Sequence, residues 1–355
     1  MKQKSIYWVA ILSLLISSLT FAGMATTTIS KDNLLYNTSA SWQEHFYTER
    51  EMSEASDIII NGTVIASEPE LHYDMVFTRN YIKVDLVESG NIEIDTIVPV
   101  LQTGGIFSEY STPVISEIPL LEVGKEYKLY LTLTDYSEKY GQYYLISGGY
   151  QGVMEVQDNG SLITLSESNT VFSPKRTNSS NSSTYAITYT LTDVYYWDKS
   201  SLVVYVQANI RDRYNANTRT GICNGIHAWA QNTDSPSTSI TSSTVNADVC
   251  VYMYDYGATG WDALTEISYD SYSNICDYSR ITVNAHYLTD YYATTGLWQA
   301  IACHEFGHTL GLDHNDSGSA SIMRSNTIDY YDYIDGSPQY TVPKTADIRP
   351  INLKY

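Results

Sequence analysis

The sequence predicts an all-β N-terminal domain, a small barrel or sandwich, followed by a C-terminal α/β domain. Three observations carry this. Short β-type runs, several alternating with period two, fill residues 57–156. A Ser/Asn-rich stretch at 164–184 then breaks the pattern and reads as a linker. Beyond it strand and helix signals alternate, as in a layered α/β sheet. The expected divisions are a removable leader at 1–25, a β-rich domain at 31–163, the linker at 164–184 and the α/β domain at 185–355. A chain of 355 residues suits two domains at about 150 residues each.

The leader comes first. Lys2 and Lys4 precede an apolar stretch at 6–19, and small residues follow up to Ala25. That order is expected of a secretory signal peptide cut after Ala22 or Ala25. The apolar stretch is shorter than the ~20 residues that a membrane span needs. Export is therefore the expected fate, with no membrane span after signal removal. No Cys follows the stretch to take a lipid.

In the β-rich domain Ile58-Ile59-Ile60 leads through Asn61-Gly62 to Thr63-Val64-Ile65. Residues 81–87 and 92–98 alternate with period two, and 127–133 and 143–146 follow, with Gly148-Gly149 as a turn. An oligonucleotide-binding-type barrel is one candidate by strand count. Nothing in this half has catalytic spacing.

In the second half, 202–206, 247–254 and 280–288 read as strands. Residues 216–230 carry Ile222, Ile226 and Trp229 at helical spacing, although Gly221 and Gly225 weaken a helix there. Residues 297–310 read as a second helix. Four cysteines, Cys223, Cys250, Cys276 and Cys303, all fall in this half. In an exported protein they are expected to form two disulfides by one of three connectivities, sequential pairing among them. No C-x-x-C pair favours a cysteine zinc site instead.

Composition excludes some partners. Lys and Arg number 20 against 40 Asp and Glu, a formal charge of −20. Such a surface repels phosphate, so neither nucleic acid nor an anionic membrane is an expected partner. Nothing in the sequence sets an oligomeric state.

The second helix carries His304-Glu305-Phe306-Gly307-His308-Thr309-Leu310-Gly311-Leu312-Asp313-His314. This is H-E-x-x-H-x-x-G-x-x-H without a gap. Residues i and i+4 leave one helix face, so His304 and His308 can share one metal ion. Glu305 flanks that face and is placed to act on a water, not to ligate. A continued helix would carry His314 ~15 Å along the axis from His304, so it reaches the ion only if the chain turns back. Gly311 permits that turn and ends the helix. Three imidazoles leave a fourth zinc position open, as in catalytic sites. The expectation is one catalytic Zn2+, with Glu305 moving a proton from water to the leaving amine of a protein or peptide substrate. The substrate would lie extended along a strand edge. A catalytically silent zinc-binding or adhesive surface protein is the alternative, against which the intact Glu305 argues.

These residues resemble the metzincin metalloproteases, most closely their matrixin-type branch, over roughly residues 185–355. The resemblance implies a twisted mixed sheet with an active-site helix. It also implies a Met-turn beneath the zinc, a role that suits Met323, and a closing helix near the chain end. A specificity wall is expected in 329–340. Two departures stand out: Asn315 follows the third His where that branch has Ser or Thr, and no Cys precedes the catalytic half to serve as an inhibitory thiol. Structural calcium is common in that branch. Asp248, Asp255, Asp262 and Asp270 are available for it, but their spacing matches no calcium loop. His227 and His286 are expected to be structural.

Overall fold

The computed structural model describes residues 34–115, 118–134, 141–165, 187–207, 216–286, 294–332 and 339–355. The expected leader, and the linker except for residues 164 and 165, lie outside the described residues. The first strand, β1 (Leu34–Trp42), is followed by a short helix, α1 (Glu49–Ala55). A long hairpin, β2 (Ile58–His72) and β3 (Met75–Ser89), then leads to β4 (Ile97–Thr103) and a small hairpin of β5 (Gly105–Phe107) and β6 (Tyr110–Thr112). β7 (Glu126–Leu133), β8 (Tyr144–Ile146), β9 (Val153–Val156) and β10 (Leu162–Thr164) complete this half.

Seven of these strands form a sheet in the order β10-β9-β7-β2-β3-β4-β8, and β7 also pairs with β8. That extra pairing closes β7, β2, β3, β4 and β8 into a ring. Ile82 and Val84, Val98 and Val100, and Leu129 and Leu131 fill its interior, each pair two residues apart as the pleat requires. Asn61-Gly62 lies at a register shift within β2, and a Cβ on Gly62 would meet Ile82 Cγ2 at 2.5 Å and Lys83 O at 2.8 Å. Glycine is there for close strand approach. Residues 92–98 alternate but do not form one strand. Asp95 takes a positive φ of 66° in a turn, and β4 begins only at Ile97.

The second half comprises β11 (Ser201–Val206), α2 (Ala216–Asn232), β12 (Ser237–Thr241), β13 (Val249–Tyr254), β14 (Trp261–Asp270), β15 (Cys276–Asn284), α3 (Thr295–Thr309), α4 (Thr327–Tyr330) and α5 (Thr345–Lys354). Its six-stranded sheet runs β1-β14-β15-β13-β11-β12. β12, β11, β13 and β15 are parallel, and β14 runs antiparallel to β15. α2 forms despite its glycines because they face α3. A Cβ on Gly221 would lie 2.6 Å from Thr295 O and 2.6 Å from Trp298 Cβ, and one on Gly225 would lie 2.7 Å from Cys303 N. The helix cost of glycine is offset by backbone-close packing of α2 on α3.

The two halves are not separate bodies, contrary to the two-domain expectation. Residues Leu34–Tyr355 make one compact unit. β1, expected within the N-terminal domain, is the outer strand of the other half's sheet, antiparallel to β14 from Leu34 opposite Asp270 to Trp42 opposite Trp261. Its Ala40 and Trp42 side chains sit in the barrel's core cluster, together with Trp261 and Leu264 of β14. Polar ties reinforce the shared core: Trp261 Nε1 donates to Thr103 Oγ1 at 2.8 Å, and Arg280 pairs with Asp74 at 2.7 Å.

The expected disulfides are also absent. All four cysteines are free, Cys223 on α2, Cys250 on β13, Cys276 on β15 and Cys303 on α3. Cys276 and Cys303 are buried in the sheet–helix core, where a thiol packs as a small apolar group. Among the described residues no helix is long and apolar enough to cross a membrane.

Candidate active site

α3 starts at Thr294, whose side chain accepts the Leu297 amide at 3.1 Å, and it is buried along most of its length. It presents His304 and His308 one turn apart, with their Nε2 atoms 3.0 Å from each other. The helix then ends in a Schellman arrangement: Gly311 N donates to His308 O at 2.8 Å and Leu312 N to Gly307 O at 3.0 Å. Gly311 takes φ +84°, the left-handed conformation that glycine adopts at low cost. The reversal brings His314 back, and its Nε2 lies 3.2 Å from that of His308. Lys354 of α5 holds the turn from outside by donating to Asp193 O and Gly311 O.

The tautomers follow from the second nitrogens. His304 Nδ1 donates to Ile322 O and His308 Nδ1 to Leu312 O, each at 2.8 Å. Their Nε2 lone pairs therefore face one another and His314. Burial holds both rings neutral: the His304 pKa is pushed down to about 3 and that of His308 is also lowered, with the other imidazoles adding to the effect. Converging lone pairs, two of them on fully buried rings, fit a cation. The His304–His308 and His308–His314 spacings, 3.0 and 3.2 Å, are close to the ~3.3 Å between ligand nitrogens around a tetrahedral zinc, and the three ligand atoms all lie within 4.8 Å of one another. Among the described residues this is the only His/Cys/Asp/Glu group that could hold a metal ion.

Met323 is fully buried, its sulfur against Gly307, where a Cβ would overlap it. The loop carrying Met323 is pinned by Asp347 of α5. The Asp347 carboxylate accepts Thr190 Oγ1 at 2.7 Å, Ser321 Oγ at 2.5 Å, Ile322 N at 2.9 Å and Lys344 N at 3.0 Å.

Glu305 is 0% exposed. Its Oε1 accepts Ser41 Oγ from β1 at 2.5 Å, and its Oε2 accepts Thr265 Oγ1 from β14 at 2.6 Å. Burial pushes its pKa up to about 7, and the two hydroxyl donors hold it lower than burial alone would. Tyr330 stacks on His304 with ring centroids 5.0 Å apart, and its hydroxyl lies 3.2 Å from Thr327 Oγ1. Asp262 is buried nearby. Its Oδ1 has no partner, and burial pushes its pKa up to about 6.

Other candidates go elsewhere. The four acids considered for calcium have separate surroundings: Asp248 pairs with Lys199, Asp255 with His286, Asp270 caps a turn at Ser273, and Asp262 lies near the site. His227 bonds Thr238. Asn315 ties its loop down by donating to Thr190 Oγ1 at 3.0 Å while its backbone N–H donates to Met323 O at 2.6 Å. Of the segment expected to wall a specificity pocket, residues 333–338 lie outside the described residues.

Sequence reasoning missed Ser41, Thr265, Asp347 and the stacking role of Tyr330. Only Tyr330 gave a signal, as one of several tyrosines after Met323. No protein-family model matches the chain, and neither does any curated protein.

Proposed function

We propose that this chain is an exported zinc-dependent endopeptidase of metzincin type. The carrying observation is the convergence of three imidazole Nε2 atoms, two with their Nδ1 hydrogens committed to backbone carbonyls, beside a buried glutamate that ligates nothing. His304, His308 and His314 would hold the ion. When bound, zinc supplies Lewis acidity that lowers the pKa of a water and polarises a carbonyl.

The chain's own residues do the rest. Glu305, with a pKa near neutrality, accepts a proton at one carboxylate oxygen and delivers it to the leaving amine. Thr265 keeps that carboxylate oriented from Oε2. Tyr330 stacks on His304, and Met323 packs against Gly307 between the two helical ligands. The side of β14 away from β15, which β1 fills in the fold, is the edge along which an extended peptide would pair.

A non-catalytic zinc-binding role would need no general base beside the histidines, so Glu305 favours the peptidase. Metal analysis together with cleavage of a denatured protein mixture tests the reading, with cut sites read by mass spectrometry. Zinc-dependent new termini that disappear with a chelator are expected. A zinc-loaded chain whose activity survives chelation would refute it.

A further inference from the structure

The edge that would receive a peptide is taken. β14 would be the outermost strand of its sheet, but β1 pairs along it from end to end. β1 is also held on its other side: Trp42 N donates to Ser325 O at 2.9 Å, and Trp42 bridges Asn326 in parallel orientation. It thus runs in a slot between β14 and the segment that follows Met323. Ser39 lies opposite Thr265 and Ser41 opposite Ala263, so the Ser41 and Thr265 hydroxyls reach the same carboxylate from adjacent strands. Ser41 thereby occupies Oε1 of the proton carrier. β1 carries no charged residue, as suits a strand lying across a dry site.

We propose that β1 is an intramolecular occupant of the substrate's place and that the folded chain is held at low activity, cleaving only while β1 is off β14, an inference that rests on the peptidase reading. The backbone of β1 belongs to the catalytic sheet, while its Ala40 and Trp42 side chains belong to the barrel core. Withdrawing the barrel would therefore carry β1 out of the slot. The seat is also imperfect at its closed end. Trp42 Nε1, Asn326 Nδ2 and Asp262 Oδ1 are buried there without hydrogen-bond partners, which lowers the cost of leaving. The device needs no thiol, in keeping with a chain that has no cysteine before Cys223.

The test uses the full zinc-loaded chain and a Thr38→Pro/Ser39→Pro variant. The side chains that hydrogen-bond Glu305 are those of Ser41 and Thr265, which the variant keeps, and one of two adjacent prolines must delete a ladder N–H whichever way the strand alternates. The variant is expected to cleave a denatured protein mixture at least ~10-fold faster than the native chain. In the native chain, amide hydrogen exchange of residues 34–42 is expected to be at least ~10-fold faster than that of β13 and β15, showing that β1 opens on its own. Equal cleavage by both folded chains overturns the proposal and leaves the peptidase reading standing. No cleavage by either overturns both. Should the variant not fold, exchange in the native chain decides: β1 amides exchanging in step with β13 and β15 overturn the proposal.

Discussion

Asp347 and His304 are joined through one residue. The Asp347 carboxylate accepts the Ile322 amide at 2.9 Å, and the Ile322 carbonyl accepts the His304 Nδ1 hydrogen at 2.8 Å. The C-terminal helix thus sets the orientation of the first imidazole without touching it.

Asp347→Ala removes the acceptor of four donors, three of them in buried hydrogen bonds. It is expected to cost roughly 2–4 kcal/mol of stability. Zinc affinity should fall about tenfold or more, because an outer partner of a ligand is lost. Denaturant unfolding and competition with a chromophoric chelator measure the two effects. Unchanged zinc affinity would separate Asp347 from the site.

Glu305→Ala removes the proposed proton carrier but none of the three histidines. Zinc content should be unchanged while hydrolysis falls by ~10²–10⁴-fold, both in the native chain and in the Thr38→Pro/Ser39→Pro background. Peptidase assays beside metal analysis read this. Full activity in the variant would remove Glu305 from the mechanism.

Asp262 ties stability to pH. Its folded pKa is raised to about 6 from 3.8, mainly by burial, and Glu305 and Tyr330 are the ionisable groups coupled to it. A raised carboxyl binds its proton more tightly in the folded state. Its stabilising contribution is therefore complete below about pH 4 and is lost as pH rises through about 6. Asp262→Asn should be more stable than the native chain at pH 7 by up to about 3 kcal/mol, the gap closing towards pH 4. Thermal melts of the metal-free protein across that range check it. A gap independent of pH would contradict the assignment.

Thiol titration of the unfolded, unreduced chain should find four free groups, since all four cysteines are unpaired. In the folded chain Cys276 and Cys303 should resist labelling. Burial raises both thiols, Cys276 to about 12. Finding no free thiol in the unfolded chain would restore the disulfide expectation.

The local parts of the site were legible. His304, Glu305 and His308 share one helical turn and its neighbour, and Gly311 announces the reversal that brings in His314. The parts that depend on distant pairing were not. Ser41 lies 264 residues from Glu305 in sequence, and the segment carrying it has no sustained apolar alternation. It is a strand because β14 and the barrel core both receive it. The same gap explains the domain misreading. A Ser/Asn-rich stretch marks a change of composition, but it does not reveal that β1 has already crossed to the other sheet. Gly221 and Gly225 were read as helix-weakening because sequence gives their propensity and not the α3 backbone they admit.

The most direct measurement is zinc stoichiometry. The native chain, exposed to a slight excess of zinc and dialysed, should retain about one ion, while His308→Ala/His314→Ala should retain none. A folded native chain that keeps no zinc, or a double variant that keeps as much as the native chain, would contradict the metal site on which the account rests.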